Sequence, residues 1–583
     1  MMGFIKRNLL SAFALFAVAV FVWAIWAAYN AKKAVDEARE AQSIIEEVDS
    51  FRLEDLLAGD AIEPLDASAT LLESAHERLS RPLMRPAHWL PVLGRQIKAA
   101  DDLSSGISGV LRVASSSVRD IRSGFDEDSS VLARMRLVSE NVGLVEDAIQ
   151  AADLGDGNAL ISVLAETRAE VVDRFDRLRA TASRVRASTS AVAELLDGPE
   201  NHLLLIANNA EMRAGSGMIL TTGVLRTQGG AVVVTDLGSS FYRNLEPGAV
   251  ELTKTYEDHF GFAEVETEWR NLGLTPRFPE TAESALRMWQ AATGEALDGV
   301  ILVDPFMLEA LLAGMGPVTV DGLDYTEDNI LEYLLHGQYL TIDVEQTNTE
   351  RRQAERSLAP AILSAALTRD HDLDEFVPKV ARALAGRHLL LWSPDADRQA
   401  AWAEAQLDGE LVPNSLSLAF SNRSPSKLDY FIEVRTGMKA SVEGDVRSVE
   451  VEIAIDNVVD PSEEPLYITG PQPTDETPVE LGEYVVLVTA NTPGAAVDSR
   501  FDGVDDLEVA GGDGPTRIVA TSTSVMPGER QTVVLRFELP VEVTELRLEP
   551  SARYWPIAWR LGDTDHRVDE PFVVDLESLP PID

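Results

Sequence analysis

The chain has 583 residues, 45% of them apolar and 25% charged, which is about four domain-lengths at roughly 150 residues each and excludes one small fold. Fifty Lys and Arg against 96 Asp and Glu give a net charge of -46, which repels phosphate backbones and excludes nucleic acid as a partner. With no cysteine, disulfides, thiolate metal sites and cysteine nucleophiles are excluded too, and none of the eight histidines lies within four residues of another to offer a metal-binding pair on a helix.

The first element is predicted at Leu9–Tyr29, a run of 21 residues without a charge, long enough as a helix to cross about 30 Å of hydrocarbon. The alternative is a cleaved signal peptide, but the run exceeds the usual ~7 to 15 apolar residues and no small-x-small site follows it. Trp23, Trp26 and Tyr29 cluster at one end, where amphipathic rings favour the headgroup layer. Residues 1–31 are therefore read as a signal anchor in the cell membrane. Lys6 and Arg7 before the span nearly balance Lys32, Lys33 and Arg39 after it; the expectation is one crossing with the acidic bulk extracytoplasmic.

Residues 32–199 read as a helical stalk or bundle. Leu103, Ile107, Val110, Ala114, Val118 and Ile121 recur at steps of three and four, and the proline-broken stretch Arg81–Pro91 separates two helical groups. Residues 200–411 read as a mixed α/β domain. His202–Ala207 and Leu297–Val303 are short apolar runs of buried-strand type, and Thr227-Gln228-Gly229-Gly230 joins two strands as a hairpin. Asp304-Pro305 starts a helix that Gly314–Pro317 stops, and further helices are predicted at 281–292, 326–337, 347–367 and 373–386. Residues 412–583 alternate with period two, as in Val449, Val451, Ile453 and Ile455, and read as an antiparallel β-sandwich.

No Walker sequence, His-Glu-x-x-His or Gly-x-Ser-x-Gly occurs. The informative segment is Leu203-Leu204-Leu205-Ile206-Ala207-Asn208-Asn209-Ala210-Glu211-Met212-Arg213-Ala214-Gly215-Ser216-Gly217-Met218, a strand running into a polar, glycine-containing loop. Together with Pro91–Arg95, Leu297–Pro305, Gly316-Pro317-Val318 and Asn422-Arg423-Ser424-Pro425-Ser426-Lys427-Leu428-Asp429, it resembles domain-of-unknown-function family 4012 over residues 80 to 440. That resemblance implies a membrane-anchored actinobacterial envelope protein connected with exopolysaccharide.

The central domain also resembles, more distantly, the LytR-CpsA-Psr phosphotransferases, which move glycopolymer from polyprenyl pyrophosphate onto peptidoglycan. The resemblance implies catalytic roles for Glu211 and Arg213, ligand contacts from Arg243, Arg351, Arg352 and Gln353, and Mg2+ held in part by Glu211. Arg forks suit a pyrophosphate leaving group because they stabilise its developing charge in a bidentate way. One departure stands against it: Ser216-Gly217 and then apolar residues follow where the second magnesium-binding Asp is expected. Glu211 and Arg213 can equally satisfy one another across the loop, Arg351 and Glu355 can form an ordinary helix pair, and Asp304 reads first as a helix cap. Two functions are thus expected as alternatives: glycopolymer transfer, and a non-catalytic envelope scaffold or polymer-binding protein. In either case the partners are the membrane and an envelope polymer or assembly protein.

Overall fold

A computed structural model describes residues 2–48, 60–90, 92–124, 130–340, 349–369, 371–471, 479–503 and 507–582, with side chains described except at 2–21, 46–48, 349–357 and 373. The chain divides into two compact units, Met1–Ala193 and Glu194–Asp583.

The first unit is helical: α1 (Met2–Val48), α2 (Ile62–Ser80), α3 (Leu93–Gly124), α4 (Val131–Ala151) and α5 (Ser162–Asp197), the last running across the boundary between the units. Small residues let these helices approach closely. Ala34 on α1 and Ala75 on α2 are buried with Leu79 and Ile97, and Ala41 and Ala69 with Leu72 and Leu111. Val110, Ile149 and Phe175 join α3, α4 and α5, so the helices form a bundle. Ion pairs close its edges, with Arg78 on Glu37 at 2.9 Å and Arg112 on Glu73 at 2.7 Å. Among the described residues no helix is long and apolar enough to cross a membrane. The Leu9–Tyr29 run lies within α1, and its side chains before Val22 fall outside the described residues.

The second unit begins with a five-stranded sheet of order β3-β2-β1-β4-β7, made of β1 (Glu200–Met212), β2 (Gly217–Gln228), β3 (Ala231–Ser239), β4 (Gly299–Val303) and β7 (Leu389–Trp392). The short hairpin β5 (Val318–Val320) and β6 (Leu323–Tyr325) stands apart from it. β1 pairs antiparallel with β2 and parallel with β4, which brings the carboxyl ends of two strands to one edge, the usual place for sites in such sheets. The predicted hairpin forms with Gln228 opposite Ala231, and Gly229 and Gly230 take φ of +57° and +86°, the left-handed pair a tight two-residue turn needs. The helices α6 (Phe278–Thr293), α7 (Pro305–Leu312), α8 (Thr349–Thr368) and α9 (Leu373–Ala385) match four predicted ones. The one expected at 326–337 is shorter, Ile330–Leu335 followed by a 3-10 turn.

Two six-stranded sheets follow, β12-β15-β10-β9-β17-β18 and β13-β14-β11-β8-β16-β19. Their strands are β8 (Ser415–Asn422), β9 (Ile432–Glu443), β10 (Val446–Asn457), β11 (Tyr484–Pro493), β12 (Val497–Phe501), β13 (Val509–Asp513), β14 (Thr516–Val525), β15 (Arg530–Pro540), β16 (Glu545–Glu549), β17 (Ile557–Leu561), β18 (Thr564–Val568) and β19 (Phe572–Asp575). Val449, Val451, Ile453 and Ile455 point between the sheets against Leu416, Leu418 and Phe420, as their alternation requires. The expectation of an antiparallel sandwich needs one amendment, since β16 pairs with β8 and β17 with β9 in parallel. The sandwich is also not a separate body. Leu487, Val509, Ile518 and Ala520 on its outer face share a core with Trp269, Met288 and Trp289 of the α/β part.

Candidate functional site

β1 stops being apolar at Asn208, and its end and the residue after it carry polar side chains into the interior: Asn208, Asn209, Glu211 and Arg213 are each nine-tenths buried or more. Burying such groups is costly unless each finds a partner, and the partners come largely from the second loop singled out in the sequence. Glu211 pairs with Lys427. The Met212 N–H donates to Asp429 Oδ2 at 2.9 Å. Arg213 Nη1 donates to the Asn422 carbonyl at 2.8 Å and to its neighbour Met212 at 2.9 Å, Nε to the Arg270 carbonyl at 3.2 Å and Nη2 to Asn271 Oδ1 at 3.4 Å. Asp429 also accepts from Asn422 Nδ2, the Tyr484 hydroxyl and Arg553 Nη1 at 3.0, 2.7 and 3.2 Å. Burial pushes the Asp429 carboxyl above its ordinary range, opposed by Arg553 and these hydrogen bonds. Burial likewise pulls the Arg213 guanidinium below its own. The two motifs are therefore two halves of one polar joint that fastens the α/β sheet to the sandwich.

This places the sequence-predicted residues differently from a solvent-facing anion site. Arg213 and Glu211 are brought close, yet the guanidinium is spent on carbonyls and the carboxylate on Lys427, so neither opens to a ligand. Arg243 follows β3 in a separate turn, with Nη2 on the Asp236 carbonyl and Cζ 4.5 Å from the centre of the Trp289 ring. Arg351, Arg352 and Gln353 lie on α8, and their side chains are outside the described residues. Among the described residues no three His, Asp or Glu side chains gather as a metal would require. The donor set around Glu211, one carboxylate already held by an ammonium, does not fit Mg2+.

His388 has no local signal in the sequence. Asp304 follows β4 and caps α7 as expected, Oδ1 accepting from Phe306 N at 3.0 Å and Met307 N at 3.4 Å. Its other oxygen accepts from His388 Nδ1 at 2.7 Å and from Asn209 Nδ2 at 3.0 Å. His388 stacks on Phe306, ring centres 4.3 Å apart, and both line a cavity of about 210 Å³ together with Lys379, Arg382, Ser551 and Asp569. The cations there already face carboxylates: Lys379 lies 2.8 Å from Glu309 and Arg382 lies 4.0 Å from Asp569. The imidazole, oriented by a buried carboxylate, remains for a ligand, and an imidazole held in this way can accept a proton from a hydroxyl group. The only sequence signal was an apolar strand ending in Asp, and nothing local links residue 304 to residue 388.

The unit that carries this joint is a mixed α/β sheet fused to a two-sheet β-sandwich. Its residues 197–339, about a quarter of the chain, match a family described as a protein of unknown function (DUF4012). The match is shorter than the 80 to 440 expected from the motifs, and ends at Tyr339, whose hydroxyl accepts from Asn208 Nδ2. No curated protein and no solved structure matches the chain.

Proposed function

We propose that the chain is a membrane-anchored, extracytoplasmic protein of cell-envelope polysaccharide assembly that acts as a scaffold or polymer-binding protein. Anchoring rests on the charge-free run Leu9–Tyr29. The observation that carries the non-catalytic reading is the closure of the β1 loop: the one guanidinium that transfer chemistry would need there is buried on the carbonyls of Met212, Arg270 and Asn422. A pyrophosphate ligand needs forks that are free to receive it.

A second reading, glycopolymer transfer from polyprenyl pyrophosphate, is favoured by one observation, the Asp304–His388 pair on its cavity. The two readings differ in what travels with the protein. Full-length chain extracted in detergent is expected to carry no stoichiometric polyprenyl phosphate or pyrophosphate by mass spectrometry, and to cosediment with isolated envelope polysaccharide. A stoichiometric polyprenyl pyrophosphate that disappears in the His388→Gln variant would overturn the scaffold reading in favour of transfer.

A further inference from the structure

The proline-broken segment between α2 and α3 has a composition unlike the rest of the chain. From Arg78 to Ala100 there is no Asp or Glu, although acidic residues outnumber basic ones almost two to one overall, while Arg81, Arg85, Arg95 and Lys98 are all present and exposed. Its apolar residues are turned outward as well. Trp89 is 85% exposed, Val92 69%, Leu83 63%, Leu93 50% and Leu90 46%. Exposing Trp with four aliphatic side chains on one short segment is costly in water and marks a contact surface.

What covers this surface follows from where the fold fastens it. Trp23 Nε1 donates to the Leu83 carbonyl at 2.8 Å, and Arg81 Nη1 to Asn30 Oδ1 at 3.2 Å. Met84 and Ala87 pack in one cluster with Ala27, Trp23 and Trp26. The segment is thus tied to the aromatic end of the Leu9–Tyr29 run, where Val22, Ile25 and Tyr29 are also exposed. Gln96 extends the patch by bonding the Ala159 carbonyl and the Ile161 N–H, beside which Ile161 itself is 52% exposed.

We propose that residues 83–90 with Val92 and Leu93 form a second membrane contact, a wedge seated in the headgroup layer of the bilayer that α1 enters, with anionic lipid around Arg81, Arg85, Arg95 and Lys98. The inference rests on reading Leu9–Tyr29 as an anchor and deepens it. A Trp-bearing apolar segment flanked by exposed basic residues is the composition that favours the interface over either bulk phase, and anionic headgroups supply the countercharge that the segment's own sequence lacks. Fixing the bundle at two points, helix and wedge, holds its tilt on the membrane, which a single crossing leaves free.

The absence of cysteine makes the test direct. Single variants Val92→Cys, Ala24→Cys and Ser123→Cys of the full chain are labelled with an environment-sensitive nitrobenzoxadiazole dye and reconstituted in phosphatidylcholine–phosphatidylglycerol vesicles containing headgroup-nitroxide lipid. Ser123 lies at the opposite end of α3, about 45 Å from Leu93 at 1.5 Å per residue. The dyes at 92 and 24 are expected to shift to the blue and lose most of their emission to the nitroxide, while the dye at 123 keeps its own. Quenching at 24 without quenching at 92 overturns the wedge and leaves the anchor standing. No quenching at either position overturns both, and equal quenching at 92 and 123 overturns the wedge as a defined site.

Discussion

His202 shows how far burial alone can set a residue's chemistry. It sits near the start of β1, fully buried, 3.3 Å from a Glu200 that is itself held by Arg398. Burial, aided by Arg398, drives its imidazole down to about 4, whereas the unfolded chain titrates near 6.5. Between those values the unfolded state binds the extra proton, so the stability His202 confers is fully present above pH 6.5 and is lost as pH falls toward 4, by about 3 kcal/mol in all. Melting of wild type and His202→Gln followed from pH 7 to 4 is expected to show the wild type losing more; parallel curves would remove His202 as the cause. Glu200, pushed up by burial, works in the opposite sense at the acid end, which is why the difference between the two proteins is the quantity to read. None of this was visible in the sequence, where His202 opens an apolar run and nothing announces that both its ring nitrogens are buried without a hydrogen-bond partner. Glu211 and Arg213 were conspicuous for the same reason in reverse: polar residues after a buried strand suggest a ligand, and only their long-range partners Lys427 and Asn422 show that the protein itself occupies them.

Elements were legible where their cause is local. The Gly229-Gly230 turn, the alternation along β10 and the proline stop after α2 each depend on a few adjacent residues, and each formed as expected. β8 was harder, because Ser415, Ser417 and Ser421 alternate with Leu416, Leu418 and Phe420 as a half-exposed strand would, yet every position is buried; the serine face is covered by chain that the alternation cannot know about. Parallel pairing of β16 with β8 and of β17 with β9 was illegible for the same reason. Asp304 combines both kinds of cause. As a cap alone it would be worth about 1 kcal/mol, which is what Asp395, accepting from Arg398 N at 2.9 Å on the exposed start of the Ala396–Glu404 helix, is expected to lose on change to Ala. Asp304→Asn keeps a capping oxygen but turns an amide N–H toward Asn209 Nδ2, a buried donor, and forces His388 to accept at Nδ1 in its other tautomer, and is expected to cost about 2–4 kcal/mol. Equal losses for the two variants in denaturant titration would reduce Asp304 to a cap.

At the scale of the whole molecule the decisive fact is which boundaries are real in packing. The break at residues 193 and 194 separates two units, each with its own buried core, and it lies close to the 199/200 boundary that the change of hydrophobic period suggested. The boundary expected near residue 411 marks a change of secondary structure without a break in packing. Leu487, Val509, Ile518 and Ala520 from the sandwich lie in the same cluster as Leu203, Val300 and Trp289. Arg277 reaches across as well, 2.7 Å from Glu410 and 3.0 Å from the fully buried Asp513. A period of two is seen by one strand at a time, so the sequence could locate the sandwich but could not show that its outer face is interior. Cutting the chain at that point would leave the apolar face of the sheet and Trp289 open to water and Arg277 without its buried carboxylate. Residues 194–583 are therefore expected to fold alone, with a single cooperative melt and intact near-ultraviolet dichroism. Residues 200–411 are expected to bind a hydrophobic dye and melt without a cooperative transition, the behaviour of a chain that has collapsed without specific packing. A sharp melt of 200–411 on its own would show that the α/β part is self-sufficient and that the joint of Arg213, Lys427 and Asp429 merely links two finished domains.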